Sequence, residues 1–148
     1  MTRKFMREAI RLAGRAVRDG TGGPFGAVVV RRGRIVGRGQ NTVLADNDPT
    51  AHAEVNAIRA ACARLRRFRL DDCELYGSCE PCPMCLAAIQ WARLRRVHYA
   101  ATRHDAARAG FDDARFYREV TVAMRQAFRA ESLPVFAAWN RKPDKTPY

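Results

Sequence analysis

Cys82, Cys85, His98 and His104 stand in the order C-x2-C-x12-H-x5-H. At that spacing two thiolates and two imidazoles can close around one zinc ion in a nucleic-acid-binding finger. Such a finger carries its cysteines on a β-hairpin and both histidines on the helix that follows. Here the order is inverted. "PMCLAAIQWARL" predicts a helix beginning at Pro83, His98 falls in the β-like run "RVHYAAT", and His104 comes after that strand in what reads as a loop. Spacing matches this loose arise by chance, so the two histidines read as a strand residue and a loop residue.

The remaining histidine offers a different centre. His52 sits in "HAE" at the start of one predicted helix, and "PCPMC" opens another. His-x-Glu followed by Pro-Cys-x-x-Cys is a signature of zinc-dependent deaminases. Pro83 preorganises the first turn, residues i and i+3 present both sulfurs on one face, and the helix dipole favours thiolates there. Residues i and i+2 point apart. His52 can therefore bind the metal while the longer Glu54 carboxylate reaches a water on it from the side. Three protein ligands leave the fourth tetrahedral position to water, which distinguishes a catalytic zinc from a structural one. Either motif alone more often marks a surface pair or packed thiols; their joint occurrence, each opening a helix, is what points to deamination.

The elements that must position these residues follow from periodicity. Residues 2–18 place apolar side chains at helical spacing until "DGTGG" stops them, and "PFGAVVVRRGRIVGRGQN" reads as a hairpin whose Gly-rich second run has room for a bulge. "DNDPT" is a loop, "AHAEVNAIRAACARL" a helix, and "CELYGS" and "VHYAAT" are strands on either side of the Pro83 helix. Strands alternating with helices imply a layered α/β domain. A further helix is predicted around Phe116 to Phe128, irregular chain from Pro134, and an exposed end at "NRKPDKTPY".

A chain of 148 residues, 47% apolar and without repeat or linker, suits one domain over residues 1–148 that does not need metal merely to fold. No apolar run approaches a bilayer span and the N-terminus is interrupted by charge, so the expected location is cytoplasmic. There the odd set Cys62, Cys73, Cys79, Cys82 and Cys85 is expected as thiols or ligands rather than disulfides. Cys62, Cys73 and Cys79 read as small buried residues. The net charge of +12 invites a polyanion, but lysine occurs only at 4, 142 and 145 and arginine is scattered over every segment. It reads as compositional background, against a nucleic-acid partner.

"NDPTAHAEVNAIRAAC", "LDDCELYGSCEPCPMCLAAIQWAR" and "AGFDD" resemble the bacterial guanine deaminases of the cytidine-deaminase-like superfamily, over nearly the whole chain. The zinc motif is common to the superfamily, whereas these three stretches together lie closer to guanine deaminases than to tRNA adenosine deaminases. The resemblance implies a three-layer α/β/α sandwich with a central mixed five-stranded sheet. It implies one Zn2+ per subunit on His52, Cys82 and Cys85, and hydrolysis of a small purine base, guanine, to xanthine and ammonia. Glu54 would take a proton from the zinc water, the hydroxide would attack C2, and Glu54 would return the proton to the leaving amine.

The resemblance also places Phe25, Asn41, Ala53 and Tyr148 against the substrate, with Tyr148 closing the pocket, and makes Asp113 a catalytic or substrate-facing carboxylate. The plainer readings are a core phenylalanine, a turn-forming asparagine and a helix-capping aspartate, with Asp112 as Asp113's rival. A homodimer is implied, its tail (about 134–148) exchanged to cover the partner's site. One departure is the stretch between Tyr117 and Leu133, shorter and more helical than the resemblance implies. It bears on the last strand and on a further acidic residue such as Glu131. The rival activities are deamination of tRNA adenosine or of cytosine or an aminotriazine; the rival outside enzymology is a nucleic-acid-binding zinc protein.

Overall fold

Apolar residues alternate along Gly26–Arg31 (β1), with Ala27 and Val29 in one core cluster and Val28 and Val30 in another, all four buried. A strand buried on both sides needs a helical layer on each. One layer is α1 (Arg3–Arg18), which packs Phe5, Met6 and Leu12 against Val28, Val30 and Tyr76. The other consists of α3 (Ala53–Leu65) and α4 (Pro83–Trp91), whose Ala57, Ala61 and Ile89 pack with Ala27, Val29 and Leu75. The remaining elements are β2 (Arg34–Gln40), α2 (Val43–Asp46), β3 (Cys73–Cys79), β4 (Arg96–Ala101), α5 (Arg103–Arg108), a 3-10 turn (Ala114–Tyr117) and α6 (Arg129–Arg141). This computed structural model describes residues 3–118, 125–141, 143, 144 and 146.

The sheet order is β2-β1-β3-β4, with β1 antiparallel to both neighbours and β3 parallel to β4. The expected bulge is present: Val29 faces Gly37 and Val30 faces Ile35, leaving Val36 as the extra residue on β2. Close packing rather than bulk sets the α3 layer against β2. A Cβ on Gly39 would lie 2.1 Å from the Ala53 carbonyl, and one on Gly37 2.3 Å from that of Ala57. These glycines let α3 lie directly on the sheet and so fix where its N-terminus, with His52, begins.

Four strands are found among the described residues, against the five expected. After β4 the chain turns at once into α5. Thr102 and Asp105 close a capping box there, the Asp105 carboxylate accepting from the Thr102 N–H at 2.8 Å and the Thr102 hydroxyl accepting from the Asp105 N–H. His104 thus lies in a helix, not the expected loop. Of the helix expected around Phe116 to Phe128, the described residues show the 3-10 turn and non-helical chain at 125–128; residues 119–124 lie outside the description. The irregular chain expected from Pro134 is helical. Glu131 in the first turn and Arg141 in the last suit the dipole of α6, and Pro134 removes one internal backbone bond. No helix among the described residues is long and apolar enough to cross a membrane.

Candidate active site

Two helices open toward each other at one end of the sheet. His52 is the N-cap of α3, and Cys82 is the N-cap of α4 with Pro83 following it. Both caps have extended backbone, so each side chain leaves its helix at the start and projects beyond it. The His52 Nδ1 lies 3.5 Å from Cys82 Sγ and 3.5 Å from Cys85 Sγ, and the three donor atoms fall within 4.8 Å of one another. A tetrahedral zinc with bonds of about 2.1 Å to nitrogen and 2.3 Å to sulfur sets its N and S ligands roughly 3.6 Å apart. The donors already stand at that separation, so their geometry and chemistry fit Zn2+.

Charge among the three is shared unevenly. The hydrogen bond from Cys85, more than the contact with His52, holds the Cys82 thiol down to about 4 against the opposing effect of burial. Cys85 is driven upward by donating that bond, and burial adds to the effect. His52 is raised chiefly by its hydrogen bond to Cys82. Two thiolates and one neutral imidazole offset a divalent cation, so metal can replace the shared proton.

Glu54, in the first turn of α3, is 7% exposed, and its Oε2 accepts from Cys85 Sγ at 3.4 Å. Burial raises its pKa above the usual carboxylate range. It therefore has an affinity for protons that an exposed glutamate lacks.

Glu54, His52 and Cys82 line a cavity of about 520 Å³. Phe25 is on its wall, with its ring edge-on to Phe111 at 5.0 Å, and is also packed against the core. Asn41, 4% exposed, accepts with Oδ1 from the N–H groups of Gly23 (3.3 Å) and Val43 (3.2 Å). Its acceptor thus serves as the turn-former, while the Nδ2 donor has no partner among the described residues. Asp112 accepts from the Ala114 N–H at 2.9 Å, whereas Asp113 makes no capping hydrogen bond. The cap reading belongs to Asp112; both carboxylates line the cavity, and Asp113, without that bond, has its pKa raised by burial and then by Cys82.

Ala53 is fully buried, its side chain in the core cluster rather than on the cavity wall. Tyr148 lies outside the described residues. Glu131 is exposed on α6. His98 stacks on Tyr76 at 4.4 Å and meets Glu74 at 3.2 Å, so it and His104 take no part in the donor cluster, and the finger-like spacing is coincidental. Cys73 and Cys79 are buried as expected, but Cys62 is only half-buried, and Cys79, pushed up to about 11 by burial, also lines the cavity.

Several wall residues were not singled out by sequence. Glu80 accepts from the Arg103 N–H at 3.0 Å, the Arg103 guanidinium lies 5.0 Å from the Tyr117 ring centroid, and the Tyr117 hydroxyl donates to the Pro81 carbonyl at 3.0 Å. Pro49, Glu80, Gly110 and Phe111, also on the wall, lie inside quoted stretches and so carried some signal; Arg103 had none.

Three donors with room for a fourth ligand, beside a buried carboxyl of raised pKa and an open cavity, define the class of zinc-dependent enzymes that activate water. The chain belongs to the cytidine and deoxycytidylate deaminase zinc-binding family, which matches residues 1–101. It is 52% identical to a guanine deaminase of Bacillus subtilis over 97% of both chains. A solved structure of guanine deaminase from that organism superposes with a TM-score of 0.93 at 51% identity, covering 100% of this chain and 99% of that one. A tRNA-specific adenosine deaminase of Agrobacterium fabrum is 50% identical over 53% of this chain and 51% of its own.

Proposed function

We propose that residues 1–148 form one deaminase domain that hydrolyses guanine to xanthine and ammonia. The observation that carries the choice of base is the end-to-end similarity to a guanine deaminase, against a match of about half the chain to a tRNA adenosine deaminase. His52 Nδ1, Cys82 Sγ and Cys85 Sγ would hold zinc, which would supply the Lewis acidity for water activation at neutral pH.

The chain's own residues do the rest. Glu54, protonatable because it is buried, accepts the proton released as water attacks C2 and delivers it to the departing amine. Asp113 faces the cavity without a capping duty and accepts from the donor edge of guanine, N1–H and the 2-amino group. The free Nδ2 of Asn41 donates to an acceptor of the ring, and Phe25 and Phe111 offer aromatic surface to its face. Ala53 contributes backbone rather than side chain: its N–H, in the first turn of α3, has no intrahelical acceptor. Tyr148 and the tail close the cavity of the partner in a cytoplasmic homodimer.

Purified protein incubated with guanine, guanosine, adenine, cytosine and an anticodon stem-loop should release ammonia from guanine. Turnover confined to the RNA would overturn the substrate. Glu54→Gln should keep its zinc and lose about 10²- to 10⁴-fold in turnover; wild-type turnover by that variant would remove Glu54 from the proton path.

A further inference from the structure

Ten of the arginines scattered along the sequence, at 31, 32, 34, 64, 66, 67, 69, 93, 95 and 96, come together at one end of the fold. The β1–β2 turn, the α3–β3 connection and the α4–β4 connection all lie at the end of the sheet away from the cavity. Arg31 pairs in register with both Arg34 and Cys73, Glu74 pairs with Arg96, and the Leu70 N–H donates to the Ala92 carbonyl. Asp72 takes Arg31 and Arg67, Asp71 takes Arg69, and Glu74 takes Arg96. Arg32, Arg34, Arg64, Arg66, Arg93 and Arg95 are exposed and have no carboxylate partner among the described residues. The surface is left strongly positive.

Three of these arginines occupy positions that favour glycine. Arg32, followed by Gly33 at φ 73°, has φ 47° in a two-residue hairpin turn; Arg66 (φ 51°) and Arg93 (φ 62°) are the left-handed residues that end α3 and α4. Both helix ends carry the paired closing bonds of a Schellman motif, Arg67 N–H to Cys62 O with Arg66 N–H to Ala63 O, and Leu94 N–H to Ile89 O with Arg93 N–H to Gln90 O. Glycine fits such sites without strain. A bias toward G- and C-rich codons supplies glycine as readily as arginine, so composition does not account for arginine at all three. At the same connections two aromatic residues are exposed, Phe68 at 45% and Trp91, the last residue of α4, at 62%.

We propose that this pole is a docking surface for single-stranded nucleic acid. Guanidinium groups track the phosphates and the exposed rings stack on bases, a combination that binds single strands with little sequence preference. A strand of six or seven residues spans roughly 20 Å, so a chain bound here lies away from the cavity and is held, not deaminated.

The zinc-loaded full-length protein is titrated into a fluorescent 20-nucleotide oligo(U) over a salt series, with anisotropy as the readout. Binding should weaken with salt at a log–log slope of about −0.7 per phosphate engaged. The triple variant Arg32→Gly/Arg66→Gly/Arg93→Gly, whose new residues suit those backbones, should fold with an unchanged melting point or a higher one. It should turn over guanine normally and lose about 2 from that slope. Trp91→Ala should bind about tenfold more weakly with the slope intact. No binding at low salt, or full binding by the triple variant, would overturn the proposal. So would binding of inorganic polyphosphate or phosphatidylglycerol vesicles as tightly as oligo(U), with Trp91→Ala unaffected, because that surface would be reading charge alone.

Discussion

Asp112 and Asp113 are neighbours of one chemical type, and a single hydrogen bond separates their roles. Asp112 spends an oxygen on the Ala114 N–H, while Asp113 stays uncommitted on the cavity wall. Asp112→Ala should therefore cost on the order of 1 kcal/mol in stability, as a lost cap does, and leave guanine turnover within a few-fold. Asp113→Asn should leave the melting point nearly unchanged and cut kcat/KM about 10²-fold. Steady-state kinetics beside thermal melts of the two variants separate these outcomes, and the reverse pattern would exchange the roles. The metal donors were legible in the sequence because their geometry is local: two cysteines three apart at a helix start share a face wherever the helix goes. The Asp112/Asp113 choice was not, because it depends on which oxygen the following turn occupies. Arg103 was invisible for a related reason, reaching the cavity only through the way α5 leaves β4.

At the scale of elements, the site depends on how closely α3 lies on β2. Gly39→Ala would place a methyl carbon against the Ala53 carbonyl and the Ala57 nitrogen, backbone atoms that cannot swing aside. Overpacking of this kind costs about 1 to 3 kcal/mol, and the shift should be felt at His52, one residue before the helix. The variant should melt lower and lose zinc to a chelator at lower concentration; unchanged zinc affinity would mean that α3 and its cap move independently. On the opposite face Glu8 ties α1 to β2 by accepting from both Arg11 and Arg38. Chiefly the Arg11 hydrogen bond, opposed by partial burial and aided by Arg38, lowers its carboxyl from 4.5 to about 2. The folded-state pKa is depressed, so this contribution is complete above about pH 4.5 and is lost as pH falls toward 2. Urea midpoints of Glu8→Gln should fall less across that window than those of the wild type. Alternation of apolar residues made the hairpin, strands and flanking helices legible, whereas α5 and α6 were missed because capping and end charges outweighed weak periodicity.

The whole molecule raises the question of what its last helix covers. Leu133 and Val135 are exposed on α6, at 42% and 70%; two residues apart, they point to different sides of the helix, and each is apolar surface for a second copy to bury. Light scattering should give about twice 16.7 kDa for the full-length protein, and Leu133→Asp/Val135→Asp should shift it to monomer and reduce guanine turnover. A dimer that survives both changes would place the interface elsewhere. Sequence alone named the candidate zinc donors His52, Cys82 and Cys85, the adjacent Glu54 and the layered α/β plan, because the two short motifs and the two-residue period of a strand are local patterns; it took the tertiary structure to bring His52 at the start of α3 to the cysteines of α4. Tertiary structure decided what depends on distant segments meeting. It freed Asp113 and Asn41 Nδ2 for the cavity, sent His98 to Tyr76 and Glu74, limited the described sheet to four strands, and gathered dispersed arginines at one pole. Side chains far apart along the chain acquire a common field or a common ligand only once the sheet has set its loops side by side.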